Sequence, residues 1–190
     1  MSEMTALGAI YARRATRGYL PTQVPEPVIA ELLRAAVHAP TAMHLEPWAF
    51  VIVQDRERLK RISDRAKTLA QASFAGLART PGHAPAILTD PKFNIFYDAG
   101  TLIVICGKQA GSFVTADCWL AAENLMLAAT ALGYATCPIG FAVAALADRE
   151  VKQELGIPED VVAVAPIIVG VPAGETPAQP RRDPVILARK

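Results

Sequence analysis

A chain of 190 residues with 19 Lys+Arg against 18 Asp+Glu carries a formal charge of +1. That balance excludes the basic field which nucleic acid or an anionic membrane surface requires, but not a small anionic ligand held by a few arginines. One domain over residues 1–190 accounts for the length and can bury a substantial core. A hydrophobic fraction of 52% and a mean hydropathy of +0.27 predict apolar surface hidden against another subunit, most simply in a homodimer.

In chain order, residues 4–13 predict a short helix with Leu7, Ile10 and Tyr11 as its apolar stripe, broken by Gly18-Tyr19-Leu20-Pro21. Pro27 suits the first turn of a second helix, where Ile29, Leu32, Leu33, Ala36 and Val37 fall at amphipathic spacing. Ala39-Pro40 stops that helix, and the loop to Trp48 leads into the apolar strand Ala49–Val53. Arg56 to about Ala78 reads as a helix, and Thr80–Pro91 as a Pro- and Gly-rich flap. A second buried strand follows at Thr101–Cys106. The helix Thr115–Leu132 comes next, ended by Gly133 and apolar almost all round, so it is expected inside the protein. Tyr134–Phe141 predicts a strand and a turn, and Asp148–Leu155 a charged helix ended by Gly156. Val161–Val171 is the last strand, where Pro166 predicts an edge or a bulge. The final twenty residues, with four prolines, are expected to pack on a partner subunit.

No formal charge occurs from Leu125 to Ala147, but Gly133, Pro138 and Gly140 interrupt that stretch and argue against a membrane span. Cys106, Cys118 and Cys137 lie in apolar surroundings and read as reduced, buried thiols of a cytoplasmic protein. Cys137 is a core residue in this reading, and Trp48 and Trp119 are core or interface anchors. His38, His44 and His83 lack metal-ligand spacing, so no metal is expected. The N-terminus carries no basic flank and no apolar signal core.

Arg13-Arg14-Ala15-Thr16-Arg17 places three arginines within five residues. As helix-end cations they would complement the macrodipole. As planar donor forks they match phosphate, and Arg13 and Arg17 share a side if the helix runs through them. The usual nucleotide and hydrolase motifs are absent: no G-x-G-x-x-G, Walker loop, G-x-S-x-G or H-E-x-x-H. A Ser-His-Asp or Cys-His arrangement stays open at this point, but no cysteine has the electropositive setting of a nucleophile, so for an enzyme a bound cofactor is the expected carrier of the reaction.

That arginine run, Ala39-Pro40-Thr41 with Pro47-Trp48, Leu132-Gly133, Pro138-Ile139-Gly140 and Arg182-Asp183-Pro184 occur in this order over nearly the whole chain. The ordered set resembles the nitroreductase family of FMN-dependent oxidoreductases. The resemblance implies an α+β fold, a central mostly antiparallel sheet flanked by helices in a three-layer sandwich, in a domain-exchanged homodimer with FMN at the interface. It implies that Arg13, Arg14, Ala15 and Arg17 lie along the FMN phosphate and the N1/O2 edge, and that Arg182 with Arg181 completes the phosphate site. It further implies that Pro40, Thr41, Ala42 and the His44 position line the ring from the partner subunit. The Pro138-Ile139-Gly140 turn would approach N5. NADH or NADPH would be the electron donor, and a nitroaromatic, quinone or similar small molecule the acceptor, in a ping-pong cycle.

Ala15 stands where the family has Ser, His44 where it has Asn, and Glu46 where it has Gln. His44 is thereby an acid/base candidate. A dehydrogenase or dehalogenase on the same fold, or a flavin-binding protein without turnover, are the alternative readings.

Overall fold

The computed structural model describes residues 4–76, 86–108 and 111–190, and the side chains of all these except 73–76 and 86–87. Four strands, β1 (Trp48–Val53), β2 (Thr101–Gly107), β3 (Ala135–Pro138) and β4 (Val162–Gly170), form one sheet in the order β1-β2-β4-β3. All three strand pairings are antiparallel, and a lone parallel bridge joins Ala15 to Thr136.

Helices cover both faces, because side chains alternate along each strand and both sets are apolar. Leu102, Val104 and Cys106 of β2 pack with Leu59, Ile62 and Ala66 of α3 (Arg56–Gly76) and with Ala142, Ala145 and Leu146 of α5 (Ala142–Leu146). Ile103 and Ile105 face the other way. They pack with Ile29, Leu32 and Ala36 of α2 (Glu26–Ala36) and with Cys118, Ala121, Ala122 and Leu125 of α4 (Val114–Ala131). α1 (Ala6–Ala12) lies on α4, and α6 (Arg149–Leu155) on α5.

Pro166 sits in an interior strand, so the edge expectation fails and the bulge expectation holds. The pairing slips between Ile105 and Cys106, whose partners are Ala165 and Ala163. The extra residue turns Ala163 and Ala165 to opposite cores although they are two apart. β1 is one of the two edge strands, and Ala49, Phe50 and Val51 are only half-buried, so this strand is not covered on both sides as its sequence predicts.

α4 departs from expectation as well. Its sheet-facing residues are buried, but Trp119 and Leu120 remain 42% and 45% exposed, because only α1 and α2 flank its outer side. Gly133 ends α4 with φ +80, and Gly156 ends α6 with φ +68, the left-handed conformation that glycine takes without a Cβ clash. The first half of the predicted 80–91 flap, residues 80–85, lies outside the described residues, and Ala86–Thr89 forms a single 3-10 turn.

Candidate functional site

α1 stops at Ala12; Arg13 leaves it with φ −57 and ψ 130. The shared helical face expected for Arg13 and Arg17 therefore does not exist. β pairing brings these residues together instead. The Thr16 N–H donates to the Thr136 carbonyl (3.1 Å), Leu20 N–H to Val171 (2.9 Å) and Ala173 N–H to Gly18 (3.0 Å). Tyr19 Oη donates to the Thr16 carbonyl at 2.9 Å, and the Thr16 and Thr176 hydroxyls are 2.9 Å apart. Residues 15–20 are thus stitched between β3 and the chain that leaves β4.

This stitching sets the two ends of the sequence face to face across an open groove of about 1010 Å3. Arg13, Arg14, Arg17 and Arg181 line it, with Glu123 and Glu175 as the acidic members, leaving two net positive charges. Arg13 Nε lies 3.7 Å from Glu123 Oε1. Arg14 Nη1 donates to the Tyr11 and Arg13 carbonyls at 2.6 and 2.9 Å, which fixes its stem. Arg182 is exposed and does not line the groove.

A second cavity of about 400 Å3 adjoins the first and shares Arg17 with it. Its walls include Cys137, the Pro138-Ile139-Gly140 turn, Phe93 and Tyr97. Phe93 and Tyr97 meet edge to face with centroids 5.5 Å apart. A Cβ placed on Gly140 would meet nothing within 4 Å. Glycine here serves neither packing nor an unusual φ; it leaves open space at the cavity wall. Burial pushes the Cys137 thiol above its ordinary range, with Arg17 and Arg13 pulling weakly the other way. Phe93 and Tyr97 carry no motif in the sequence. Tyr97 and Asp98 have φ 52 and 59, a conformation their residue types do not announce.

Pro40, Thr41, Ala42 and His44 line neither cavity. They belong to a loop in which Met43, His44 and Glu46 have φ 55, 55 and 44. Left-handed backbone costs a non-glycine residue about 1–2 kcal/mol. Met43 is 84% exposed, so its own packing does not compensate. Ala42 N–H donates at 3.2 Å to Asp117 Oδ1 at the start of α4.

Among the described residues no group of three or more His, Cys, Asp and Glu is arranged to hold a metal. No helix among them is long and apolar enough to cross a membrane.

A family model described as the nitroreductase family matches residues 10–171. The chain belongs to the nitroreductase family. A protein of Archaeoglobus fulgidus provisionally named NADH dehydrogenase/NAD(P)H nitroreductase is 31% identical over 169 residues, covering 89% of this chain and 86% of its own. An iodotyrosine deiodinase of Thermotoga neapolitana is 24% identical, with 92% of each chain covered. The solved structure of a nitroreductase with bound FMN from Bacteroides fragilis superposes with a TM-score of 0.83 at 26% identity, covering 97% of this chain and 98% of the other.

Proposed function

We propose that this protein is an FMN-dependent oxidoreductase that takes reducing equivalents from NADH or NADPH and delivers them to a nitroaromatic, a quinone or a similar electron-poor acceptor. One observation carries the reading: Arg13, Arg14, Arg17 and Arg181 line one groove, and Arg17 also lines the cavity that Gly140 leaves open. The donor set fits the cofactor, since guanidinium forks are the side chains best matched to a phosphate monoester. Two net positive charges suit a dianion of that kind.

When bound, FMN supplies the two-electron chemistry, as is general for such cofactors. The protein's part is to bind, orient and polarise. Arg13, Arg14 and Arg181 hold the phosphate end, with Arg182 following on the same exposed tail. Arg17, which lines both cavities, would favour negative charge on the cofactor's polar edge. Ala15 sets the backbone of this arm through its bridge to Thr136. Pro138, Ile139 and Gly140 admit the reacting edge, because no Cβ intrudes. Phe93 and Tyr97 offer an aromatic wall for a flat acceptor. His44 is assigned no proton transfer, because hydride chemistry on a flavin requires no protein base.

The site is completed by a second copy in this reading. Leu7, Ile10 and Tyr11 on α1 are exposed, as are Trp119 and Leu120 on α4 and Val185, Ile186 and Leu187 on the tail. A homodimer that covers these surfaces would also bring Pro40, Thr41, Ala42 and His44 over the partner's ring.

The deciding experiment is an anaerobic absorbance spectrum of the pure protein with FMN. The reading expects a flavin spectrum bleached by NADPH or NADH and restored by a nitroaromatic. Protein that binds no FMN overturns it. Bound flavin that no nicotinamide nucleotide bleaches leaves a non-catalytic flavin protein. Turnover of iodotyrosine in place of nitroaromatics would favour a dehalogenase, the activity named for the Thermotoga neapolitana relative.

A further inference from the structure

Asp117 is a charged residue buried to 3% exposure, and its Oδ2 has no hydrogen-bond partner among the described residues. Such a group is costly to bury, so its retention calls for a task that an apolar residue cannot perform. It lies in the first turn of α4, where the helix's positive end offsets part of that cost. Its Oδ1 accepts the Ala42 N–H at 3.2 Å. Among the described residues that is the one hydrogen bond from residues 41–46 to another element, the remaining tie being Leu45 N–H to the Ala42 carbonyl within the loop.

The same loop holds three non-glycine residues in left-handed backbone, at Met43, His44 and Glu46, while residues 43–46 stay exposed. Strain of this kind persists only where the surroundings over-determine it. The loop's far end is tied by Lys108 N–H, which donates to the Pro47 carbonyl at 2.8 Å, and within residues 41–46 the tie is the buried Asp117 carboxyl beneath Ala42.

We propose that Asp117 is a positioning residue: it fixes the shape of the 41–46 loop, and so fixes the surface this loop lays against the flavin ring of a second copy. The inference rests on the flavin reading above and adds to it a residue outside both cavities. Asp117 acts through Ala42; it touches neither cofactor nor substrate. It governs the orientation of the ring and its reactants, leaving retention of the phosphate to the arginines.

Three variants of the full-length chain test this. D117A removes the acceptor, whereas D117N keeps an amide oxygen in its place. A42P removes the donor and leaves the core intact; its backbone is permissive, because Thr41 is extended (φ −130, ψ 148) and Ala42 opens a 3-10 turn. Hydrogen exchange of the purified proteins should be about tenfold faster over residues 43–46 in D117A and A42P, as a loop released from its anchor opens locally. Flavin reduction by NADPH in stopped flow should be slower in both by about tenfold or more, the scale set by small misplacements of reactants. FMN affinity should fall less in D117A than in Arg181→Ala, because the phosphate contacts are left to the arginine groove.

D117N should restore both exchange and reduction rates toward wild type. Wild-type exchange and reduction in D117A and A42P overturn the proposal, as does a D117N variant as slow as D117A. Should D117A fail to fold, A42P decides the matter. Wild-type protein that takes up no FMN overturns the flavin reading and this inference with it. FMN uptake by wild type with unimpaired variants overturns this inference alone.

Discussion

Among the described residues, Arg17 alone lines both the arginine groove and the Gly140 cavity. Replacing it with Ala should weaken FMN binding by about 1.5–3 kcal/mol for each charged hydrogen bond lost. Flavin fluorescence titration measures this, and retention unchanged from wild type would remove Arg17 from the site. Arg181→Ala should weaken binding more than Arg182→Ala, because only Arg181 reaches the groove. The cysteines answer to burial rather than to this field. Burial pushes the Cys106 and Cys118 thiols up to about 11. The thiolate is the reactive form, so all three cysteines should alkylate slowly at about pH 8 in folded protein and quickly in urea. Rapid labelling of Cys137 in the folded state would show that the small cavity exposes its sulfur.

Among the elements, the arm 15–20 is held from both sides, and its continuation at Thr22 rests against Gly100. A Cβ at Gly100 would fall 2.2 Å from the Thr22 carbonyl oxygen, a backbone atom that cannot rotate away. Gly100→Ala should therefore destabilise by about 1–3 kcal/mol or more, the range for overpacking, and loosen the arm that carries Arg17. A urea midpoint equal to wild type would contradict this. At α6, Asp148 Oδ1 accepts the Glu150 and Val151 N–H groups at 3.0 and 3.5 Å, and Arg65 pairs with Oδ2. The Arg65 hydrogen bond holds the Asp148 carboxyl below its usual range. A depressed folded pKa gives stability that is present above the unfolded value and lost as pH falls through the folded one. Asp148→Ala should thus cost about 0.5–2 kcal/mol near neutral pH, the value of a helix cap. The difference from wild type should narrow only as pH falls beneath the ordinary carboxylate range, through the lower folded value of Asp148. Equal urea midpoints at neutral pH would sink that assignment.

For the whole molecule, the apolar surface left open on α1, α4 and the tail predicts association. Size-exclusion chromatography with light scattering should give twice the chain mass of 20.3 kDa. Dilution should release flavin and monomer together if the site is shared between copies. Residues 177–190 are exposed and pair with no strand. Truncation after Thr176 should therefore leave the thermal unfolding of the sheet core nearly unchanged and sharply reduce FMN retention, because Arg181 is lost. A truncated protein that binds FMN as well as the full chain would remove the tail from the site.

How much of this was legible in the residues differs by range of interaction. Apolar runs and turn residues act locally, so the four strands, the caps at Gly133 and Gly156 and the two-sided core followed from the sequence by itself. The motif order that resembles the nitroreductase family was equally open to reading, and the match over residues 10–171 agrees with it. The sequence did not determine how Arg13 and Arg17 meet Arg181. Helical spacing suggested one face, but hydrogen bonds from Thr16 to Thr136 and from Leu20 to Val171 took the arm out of the helix and against the sheet. Nor did it announce Phe93 and Tyr97 at the cavity wall, or Asp117 beneath the strained loop 75 residues away. Those placements depend on pairing and burial between distant segments, which no local pattern encodes and only the packed chain decides.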